Sequence, residues 1–408
     1  METALQHQSG LRALLASRNF VRLWTIGTLV SAMRWMETLA AGLFVFEVTG
    51  SGLAVALVSA ARTLPMLLFG AVAGVISETL DRKRILQIGL ILNVIGASAI
   101  CLLAWSGQIQ PWHVALAGFV SGLVWASEMS TRRRMCGEAA GIALMPRAVA
   151  LDSLTGATTR GVGPLIGSIA FASLGVVGAY GISAIVYLIA TCLVPGVLHV
   201  QESRRLALGK IPRELAEGLA FARTQKTVIA VMAITVAMNM FGFSYTAVIA
   251  PLALGVFGVD AALAGVLAAA EPVGSLIGGL MLASGIMRRS PRVLMLAGSA
   301  LFLGCLSLVP FLPFYPLAVA VLMVGGLGLA LFSNMQTTLV LTGVPPQVRS
   351  RQMGLITVCI GSGPIGQVLL GLLAQSIGLR AAILVSALVG LGCIAGLASW
   401  WTRAERRD

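Results

Sequence analysis

Twelve apolar stretches, each about as long as a membrane-crossing helix, make up most of this 408-residue chain. The hydrocarbon core of a bilayer requires roughly 20 apolar residues for each spanning helix. The stretches fall into two sets of six, separated by a basic segment at residues 199–226. The pattern therefore predicts an all-α polytopic membrane protein with two six-helix bundles. The predicted spans are 21–47, 52–77, 85–106, 112–131, 148–173, 176–198, 227–250, 260–285, 292–311, 315–340, 351–377 and 379–401.

The net charge of +13 is distributed unevenly along the chain. With these spans, Lys and Arg concentrate in the two tails and in the loops after even-numbered spans, whereas the opposite loops carry Arg380. Loops rich in Lys and Arg stay on the cytoplasmic side of a membrane. We therefore expect a multi-pass protein of the cell (inner) membrane with both termini in the cytoplasm. Because this topology accounts for the charge, we do not expect nucleic-acid binding.

The spans divide the chain into five segments. They are a cytoplasmic N-terminal segment (1–20), an N-terminal bundle (21–198), a cytoplasmic central loop (199–226), a C-terminal bundle (227–402) and a cytoplasmic tail (403–408). The first segment is expected to form a short interfacial helix. The first apolar run is too long for a cleavable signal peptide, so we expect it to stay in the chain as span 1.

The sequence lacks the residue patterns of common catalytic sites. It has no nucleotide-binding loop and no Ser/His/Asp arrangement, its three histidines are scattered, and its six cysteines form no CxxC motif. We therefore expect neither an enzyme nor a metal or cofactor site. A hydrophobic content of 58% with 11% charged residues also excludes a soluble domain and a disordered chain.

The two halves of the chain resemble each other after a shift of about 200 residues. Gly163 and Pro164 of span 5 align with Gly363 and Pro364 of span 11. Such duplication around a central site is typical of secondary transporters. Proline removes a backbone hydrogen bond and bends a helix. Kinks at matching places would therefore let the helix ends swing in both halves.

Pairs of glycines four residues apart present flat helix faces. Gly163 and Gly167 form one such pair in span 5, and Gly274 and Gly278 form another in span 8. Close helix packing in lipid depends on small residues of this kind. The faces fit two interpretations, which the sequence leaves open: static packing, or a seam along which the two halves slide.

Two segments carry motifs of a known family. Residues 74–84, GVISETLDRKR, lie between spans 2 and 3 and are similar to the cytoplasmic signature loop of the major facilitator superfamily. Residues 128–167 resemble in spacing its drug:proton antiporter-3 group, which includes macrolide efflux pumps and the enterobactin exporter. The resemblance implies the major facilitator fold, two pseudo-symmetric bundles of six helices. It also implies a monomer without a cofactor.

The same resemblance implies a gate at the signature loop, which clamps the cytoplasmic ends of spans 2 and 11. Glu78 is expected near Arg349 or Arg351, whereas Arg82 to Arg84 meet lipid phosphates or facing carboxylates. A solvated basic loop that only sets the topology is the alternative. The gating candidates are Gly74, Glu78, Asp81, Arg82, Lys83, Arg84, Arg132, Arg160, Gly163, Pro164, Gly363 and Pro364.

Ionisable side chains inside the spans are candidates for function, because charge is costly in hydrocarbon. The charges of the first half balance and can pair internally, with Arg34, Arg62 and Arg160 against Glu37, Glu128 and Asp152. Arg34 stands where the related group often has an acidic residue, and it shares a helix face with Glu37. We expect Arg34 to release Glu37 when substrate binds.

Glu271, near the middle of span 8, has no basic residue within ten positions in the sequence. Unless another helix supplies an arginine, burial of this carboxyl group favours its protonated form, as a proton carrier requires. The candidates for proton coupling are Glu37, Glu271 and Asp152.

The resemblance places the substrate cavity between spans 1, 4, 7 and 10. Aromatic faces with a few amides suit a partly apolar molecule, and Arg34 or Arg62 would attract an anionic group on it. Each aromatic side chain considered alone fits lipid contact or packing equally well. The cavity candidates are Arg34, Trp35, Arg62, Trp125, Glu128, Asn239, Phe241, Tyr245, Asn334 and Gln336.

These features predict a secondary active transporter that exports small amphipathic molecules, a siderophore or a drug, in exchange for protons by alternating access. Its partners would be the lipid bilayer, a small-molecule substrate and protons. An importer or a carrier of a lysolipid or metabolite within the same superfamily is the alternative. A membrane sensor without transport is a more remote one.

Overall fold

The computed structural model describes residues 12–141, 143–199, 211–287, 289–345 and 348–405, with side chains outside 71–79, 129–130, 211–216, 350 and 404–405. Every regular element in these ranges is helical. Eleven of the helices are long and apolar enough to cross a membrane, and one of them covers Met145–Gly196. Most of the predicted N-terminal interfacial helix lies before residue 12, outside the described residues.

The helices follow the predicted order of spans. Spans 1 to 4 are Arg18–Thr49, Gly52–Thr79, Arg82–Trp105 and Pro111–Ala140, and spans 5 and 6 share Met145–Leu193. A linking helix, Ile211–Thr224, precedes span 7, which begins with Lys226–Ala237 and runs through irregular turns to Val256. Spans 8 to 10 are Ala261–Ala283, Pro291–Leu308 and Tyr315–Gly343, span 11 consists of Arg349–Ile360 and Gly363–Ile377, and span 12 is Leu379–Glu405.

Glycines with positive φ separate neighbouring spans where the connections are shortest. Gly50, Gly175 and Gly378 have φ values of 61°, 63° and 81°, a left-handed region that costs glycine little. A straight helix over Met145–Leu193 would be about 75 Å long, more than twice the thickness of the hydrocarbon core. Its interruption at Gly175 therefore divides it into spans 5 and 6, which brings the crossings to twelve.

The repeat is visible in the packing of each half. A methyl group added at Gly167 would lie 2.7 Å from the carbonyl oxygen of Met36, and one at Gly366 would lie 2.1 Å from that of Met240. Span 5 thus packs closely on span 1, as span 11 packs on span 7. Only glycine allows the two backbones to approach so closely.

The glycine pairs do not form a sliding seam between the halves. Gly163 and Gly167 lie against span 1, around Trp35 and Met36, whereas Gly274 and Gly278 lie against span 10, around Met323. Both pairs therefore pack helices of the same half. The interpretation as static packing is the one that the structure supports, because a face already filled within a half is not available to the other half.

The two halves meet mainly on the side of the molecule away from the chain termini. There Gly42 of span 1 faces Ala250 of span 7, and Gly371 of span 11 packs on Ala56 of span 2. Spans 5 and 8 meet through Gly265, beside Ser168. These small residues allow the helices of the two halves to pack closely there.

Two spans of the second half have irregular backbones. Span 7 contains π turns at Met238–Gly242 and Leu252–Val256, with a 3-10 segment, Phe243–Val248, between them. Span 11 is interrupted between Ile360 and Gly363. Irregular helical turns of this kind frequently occur at functional sites.

Candidate functional site

A cavity of about 330 Å³ lies between the two halves near the middle of the spans. Its wall is formed by spans 1, 2, 4 and 5 of the first half and spans 7, 8, 10 and 11 of the second. Most of the wall is apolar or aromatic, with three amides. Its principal side chains are Trp35, Met66, Trp125, Phe243, Tyr245, Phe332, Asn239, Gln336, Gln367, Arg160 and Glu271.

Half of the predicted cavity residues lie on this wall. They are Trp35, Trp125, Asn239, Tyr245 and Gln336. Arg34, Arg62, Glu128, Phe241 and Asn334 are not among the residues that line this cavity. Phe241 faces Gly390 of span 12, and the Asn334 side chain turns back to donate to the carbonyl oxygen of Ala330 at 2.8 Å.

The three charged residues of that group are paired behind the wall. Arg34 contacts the carboxylate of Glu128, which also accepts from Nε of Arg132 at 2.7 Å. Arg132 reaches Asp152 at 2.8 Å, and Arg133 lies 3.3 Å from the same carboxylate. Burial of a charge requires such pairing. The result is a chain of alternating charges within the first half, which we call the N-half network.

Arg62 forms a second buried cluster with Glu37. The two charged groups lie 3.1 Å apart, and the guanidinium also donates to Ser121 and to the backbone oxygen of Arg34. The side chains of Arg34 and Glu37, which share a helix face, thus each have another ion-pair partner in this structure. Neither Glu37 nor Asp152 reaches the cavity lining.

Glu271 has an arginine partner, which the sequence did not reveal. Nη2 of Arg160, in span 5, lies 2.6 Å from Oε1 of Glu271, in span 8. The partner comes from span 5 of the other half of the molecule, so an arginine from another helix pairs with this carboxyl group. Glu271 is 2% exposed and Arg160 is 22% exposed. Both lie on the cavity wall, and among the described residues they are the charged residues of that wall.

Aromatic side chains connect the N-half network to the cavity. The guanidinium carbon of Arg34 lies 5.0 Å from the centre of the Trp125 ring, a distance typical of a cation–π contact. The rings of Trp35 and Trp125 meet edge to face at 6.4 Å. Both tryptophans line the cavity, so Arg34 contributes to the wall by supporting Trp125.

The signature loop packs within the first half. Asp81 caps the start of span 3 by accepting from the backbone N–H groups of Lys83 and Arg84. Arg82 is buried and lies 2.9 Å from Glu138, at the end of span 4. Lys83 donates to the backbone oxygen of Pro195. Arg82 therefore meets a facing carboxylate, one of the two predicted kinds of partner.

The predicted latch to span 11 cannot be placed through Glu78, whose side chain lies outside the described residues, as do the atoms around Gly74. Arg351 lies 3.3 Å from Glu217 of the linking helix. Gln352 donates to the backbone oxygen of Gly218 in the same helix at 2.9 Å. The start of span 11 is thus held by the linking helix.

The two matching prolines have different surroundings. Pro164 lies inside the continuous part of span 5, whereas Pro364 follows the break in span 11 and starts its second segment. The kink is therefore a full interruption in the second half only. Both prolines line the cavity.

Thr63 and Gln367 are among the cavity residues that sequence reasoning missed. Thr63 of span 2 and Gln367 of span 11 lie 2.9 Å apart across the two halves. Gln367 follows the Gly-Pro pair by one helical turn, and this spacing places it on the same face as Pro364.

Among the described residues, no group of three or more His, Cys, Asp and Glu side chains is arranged to hold a metal ion.

Comparisons with known proteins agree with this architecture. A family profile described as "Transmembrane secretion effector" matches residues 9–405. The multidrug efflux pump Tap of Mycolicibacterium fortuitum is 25% identical over 354 residues, which cover 84% of this chain and 86% of that protein. The pump of the same name from Mycobacterium tuberculosis is 26% identical over 372 residues, with 84% of each chain covered.

Solved transporters share the fold. A bacterial homologue of the human lysosomal transporter Spinster, inward-facing and unoccupied, superposes with a TM-score of 0.75 at 15% identity, covering 95% of this chain and 97% of its own. A POT family transporter in complex with 5-aminolevulinic acid gives a TM-score of 0.76 at 10% identity, covering 95% and 96%. These likenesses establish the arrangement of the twelve helices.

Proposed function

The chain belongs to the transmembrane secretion effector family of the major facilitator superfamily, and from this premise we propose that it exports amphipathic molecules in exchange for protons. The protein is a multi-pass membrane transporter and not an enzyme. The observation that carries the proposal is the Arg160–Glu271 pair, which joins the two halves at the wall of the central cavity.

Charge and packing support a direction of access. The placement of Lys and Arg supports cytoplasmic termini, and the small-residue contacts between the halves lie on the opposite side. In our proposal this state takes substrate from the cytoplasm. The second state would open the far side by separating the small-residue contacts, among them Gly371 from Ala56.

The pair across the halves supports exchange rather than co-transport. In the empty state Arg160 neutralises Glu271. A proton on Glu271, or a donor group of a bound molecule, replaces Arg160 as the partner of the carboxylate. Because the proton and the substrate compete for one carboxylate, the carrier would change its access state with either the proton or the substrate bound. A carrier with neither ligand keeps the Arg160–Glu271 ion pair, which holds the two halves in their present arrangement.

The energetics suit a single coupling site. One proton that enters down 100 mV releases about 2.3 kcal/mol, which sustains roughly a fiftyfold concentration ratio of an uncharged substrate. One carboxylate on the cavity wall is therefore sufficient. Glu37 and Asp152, the other candidates, pair within the first half and lack contact with the cavity.

The cavity and the relatives support drug-like amphipathic molecules as substrates. Aromatic walls with a few amides suit such compounds, and the relatives are multidrug efflux pumps by name. A siderophore with an anionic group would depend on Arg34 or Arg62, and both are already paired with carboxylates. We therefore prefer a drug-like substrate over a siderophore.

Inside-out membrane vesicles test this function. Acidification of the lumen should drive uptake of rhodamine 123, an amphipathic dye, and dye added under a pre-set gradient should release protons from the lumen. The exchange of Glu271→Gln should abolish gradient-driven uptake while dye–dye exchange persists. Proton movement of the opposite sign would indicate an importer, and gradient-driven uptake by Glu271→Gln would exclude Glu271 as the coupling site.

A further inference from the structure

Two of the three cavity amides share one buried anchor. Asn239 of span 7 donates from Nδ2 to the backbone oxygen of Thr235 at 2.9 Å. Gln336 of span 10 donates from Nε2 to the hydroxyl oxygen of the same Thr235 at 2.5 Å. Thr235 is fully buried, and both amides line the cavity.

The chemistry of Thr235 fixes which end of each amide faces it. A backbone carbonyl oxygen only accepts hydrogen bonds, so the nitrogen of Asn239 must be the atom beside it. The single hydroxyl hydrogen of Thr235 is donated to the backbone oxygen of Val231 at 2.7 Å. The hydroxyl oxygen can therefore only accept from Gln336. Neither amide can turn over without loss of a buried hydrogen bond.

The carbonyl ends of both amides are consequently turned away from Thr235. Among the described residues, neither Oδ1 of Asn239 nor Oε1 of Gln336 accepts a hydrogen bond. Neither atom belongs to the buried polar atoms that lack a partner. Two acceptor oxygens of fixed orientation are thus accessible at the wall formed by spans 7 and 10.

The third amide lacks such an anchor. The hydroxyl of Thr63 donates to Oε1 of Gln367 at 2.9 Å, whereas the backbone oxygen of Ser59 lies farther from that hydroxyl, at 3.2 Å. The oxygen of Gln367 therefore already accepts a hydrogen bond, unlike those of Asn239 and Gln336. The cavity amide oxygens that lack a partner among the described residues belong to the pair on Thr235.

We infer that Asn239 and Gln336 form an acceptor subsite for an N–H or O–H donor group of the transported molecule, with Thr235 as the positioning residue. This inference rests on the proposed function, because it requires the cavity to be the substrate site. A molecule that lacks the donor leaves two oxygens without partners once the cavity is dry, and a site built for a hydrogen bond rejects such analogues strongly.

Two fluorescent dyes provide a matched pair of probes. Rhodamine 123 carries N–H groups, whereas tetramethylrhodamine methyl ester has the same ring system, ester and charge with methylated nitrogens. Binding to the purified full-length transporter is measured by fluorescence anisotropy. We expect the wild-type protein to bind rhodamine 123 about tenfold more tightly, which is the effect of one to two hydrogen bonds.

Substitutions at Thr235 separate positioning from general stability. Thr235→Val removes the acceptor for Gln336 at nearly constant volume and should reduce the preference to about threefold or less, whereas Thr235→Ser should keep it. Thr191→Val is the matched control, because Thr191 is another buried threonine with the same bond to its own helix but no amide on its hydroxyl.

The outcomes distinguish the subsite from the proposed function. Equal affinity for the two dyes in the wild-type protein, or an unchanged preference in Thr235→Val, would overturn the subsite even if both dyes are exported down the proton gradient. Absence of gradient-driven transport of either dye would contradict the proposed function and the subsite together.

Discussion

The two halves of this transporter handle buried charge in different ways. In the first half, Arg34, Glu128, Arg132 and Asp152 satisfy one another within a single bundle. In the second half Glu271 stands on the cavity wall, and its partner Arg160 belongs to the first half. A network inside one bundle survives any movement of the bundles, whereas a pair across them must be exchanged when they part. The first arrangement stabilises one bundle. The second suits a conformational change between the bundles.

The backbones of the two halves also differ: spans 1 and 5 of the first half are continuous, whereas their counterparts in the second half are irregular. Span 1 is a continuous helix from Arg18 to Thr49, but its counterpart, span 7, alternates between π and 3-10 turns. Span 5 passes through Pro164 without a break, whereas span 11 is interrupted before Gly363. In these four spans, the irregular turns and the interruption lie in the second half.

The largest expected effect separates the two buried glutamates. Glu128→Gln leaves Arg34 and Arg132 close together with one anion fewer, and the loss of one partner from a buried ionic network costs about 3–5 kcal/mol. Glu271→Gln should cost much less, because Arg160 borders the cavity and can be hydrated there. Thermal stability of the detergent-purified variants, followed by size-exclusion chromatography, measures both. Equal losses of thermal stability in the two variants would contradict the difference between a charge network inside one half and an ion pair between the halves.

A smaller effect is expected from the close approaches that the halves share. Gly167→Ala and Gly366→Ala place a methyl group against the backbone oxygens of Met36 and Met240, and such overpacking costs about 1–3 kcal/mol. Gly354→Ala is the control, since no atom of the described residues beyond the adjacent turns of its own helix lies within 4 Å of the added methyl group. The same thermal assay applies. Stability of Gly366→Ala equal to that of Gly354→Ala would mean that span 11 is not packed on span 7 in this way.

The smallest effect concerns the prolines. Pro164→Ala restores a backbone donor inside span 5, and the recovered hydrogen bond of about 1 kcal/mol should slow turnover by roughly fivefold with little change in affinity. Pro364 starts a helical segment, where no partner for its nitrogen is required, so Pro364→Ala should change turnover less. Initial rates of dye transport in vesicles measure both. A lower protein yield without a lower rate would assign Pro164 a purely structural role.

The sequence predicted the fold because its signals are local and repeated. Span length, the glycine turns near Gly50, Gly175 and Gly378, and the duplication of Gly163 and Pro164 are each readable along one stretch of chain. The hydrocarbon solvent adds a strong constraint, since each span must satisfy its own backbone. Twelve helices in two bundles then follow with few alternatives.

The candidate site was predicted less well because its contacts join distant positions. Glu271 and Arg160 are 111 residues apart, so nothing near Glu271 in the sequence indicates its partner. Arg34 and Glu37 share a helix face, yet neighbouring helices supply closer partners for both. The resemblance placed the cavity between spans 1, 4, 7 and 10, and five of the candidate residues lie on its wall. Spans 2, 5, 8 and 11 also contribute to that wall, with Arg160, Glu271 and Gln367 among their residues.

The most direct test of the account is the pH dependence of substrate binding. If a proton and the substrate compete for Glu271, the Kd of rhodamine 123 should rise as the pH falls, with a limiting slope of about tenfold per pH unit, and Glu271→Gln should abolish this dependence. We expect the Kd of rhodamine 123 to vary with pH for the wild-type protein and to stay constant with pH for Glu271→Gln. A flat curve in the wild-type protein, or the same slope in Glu271→Gln, would contradict this expectation.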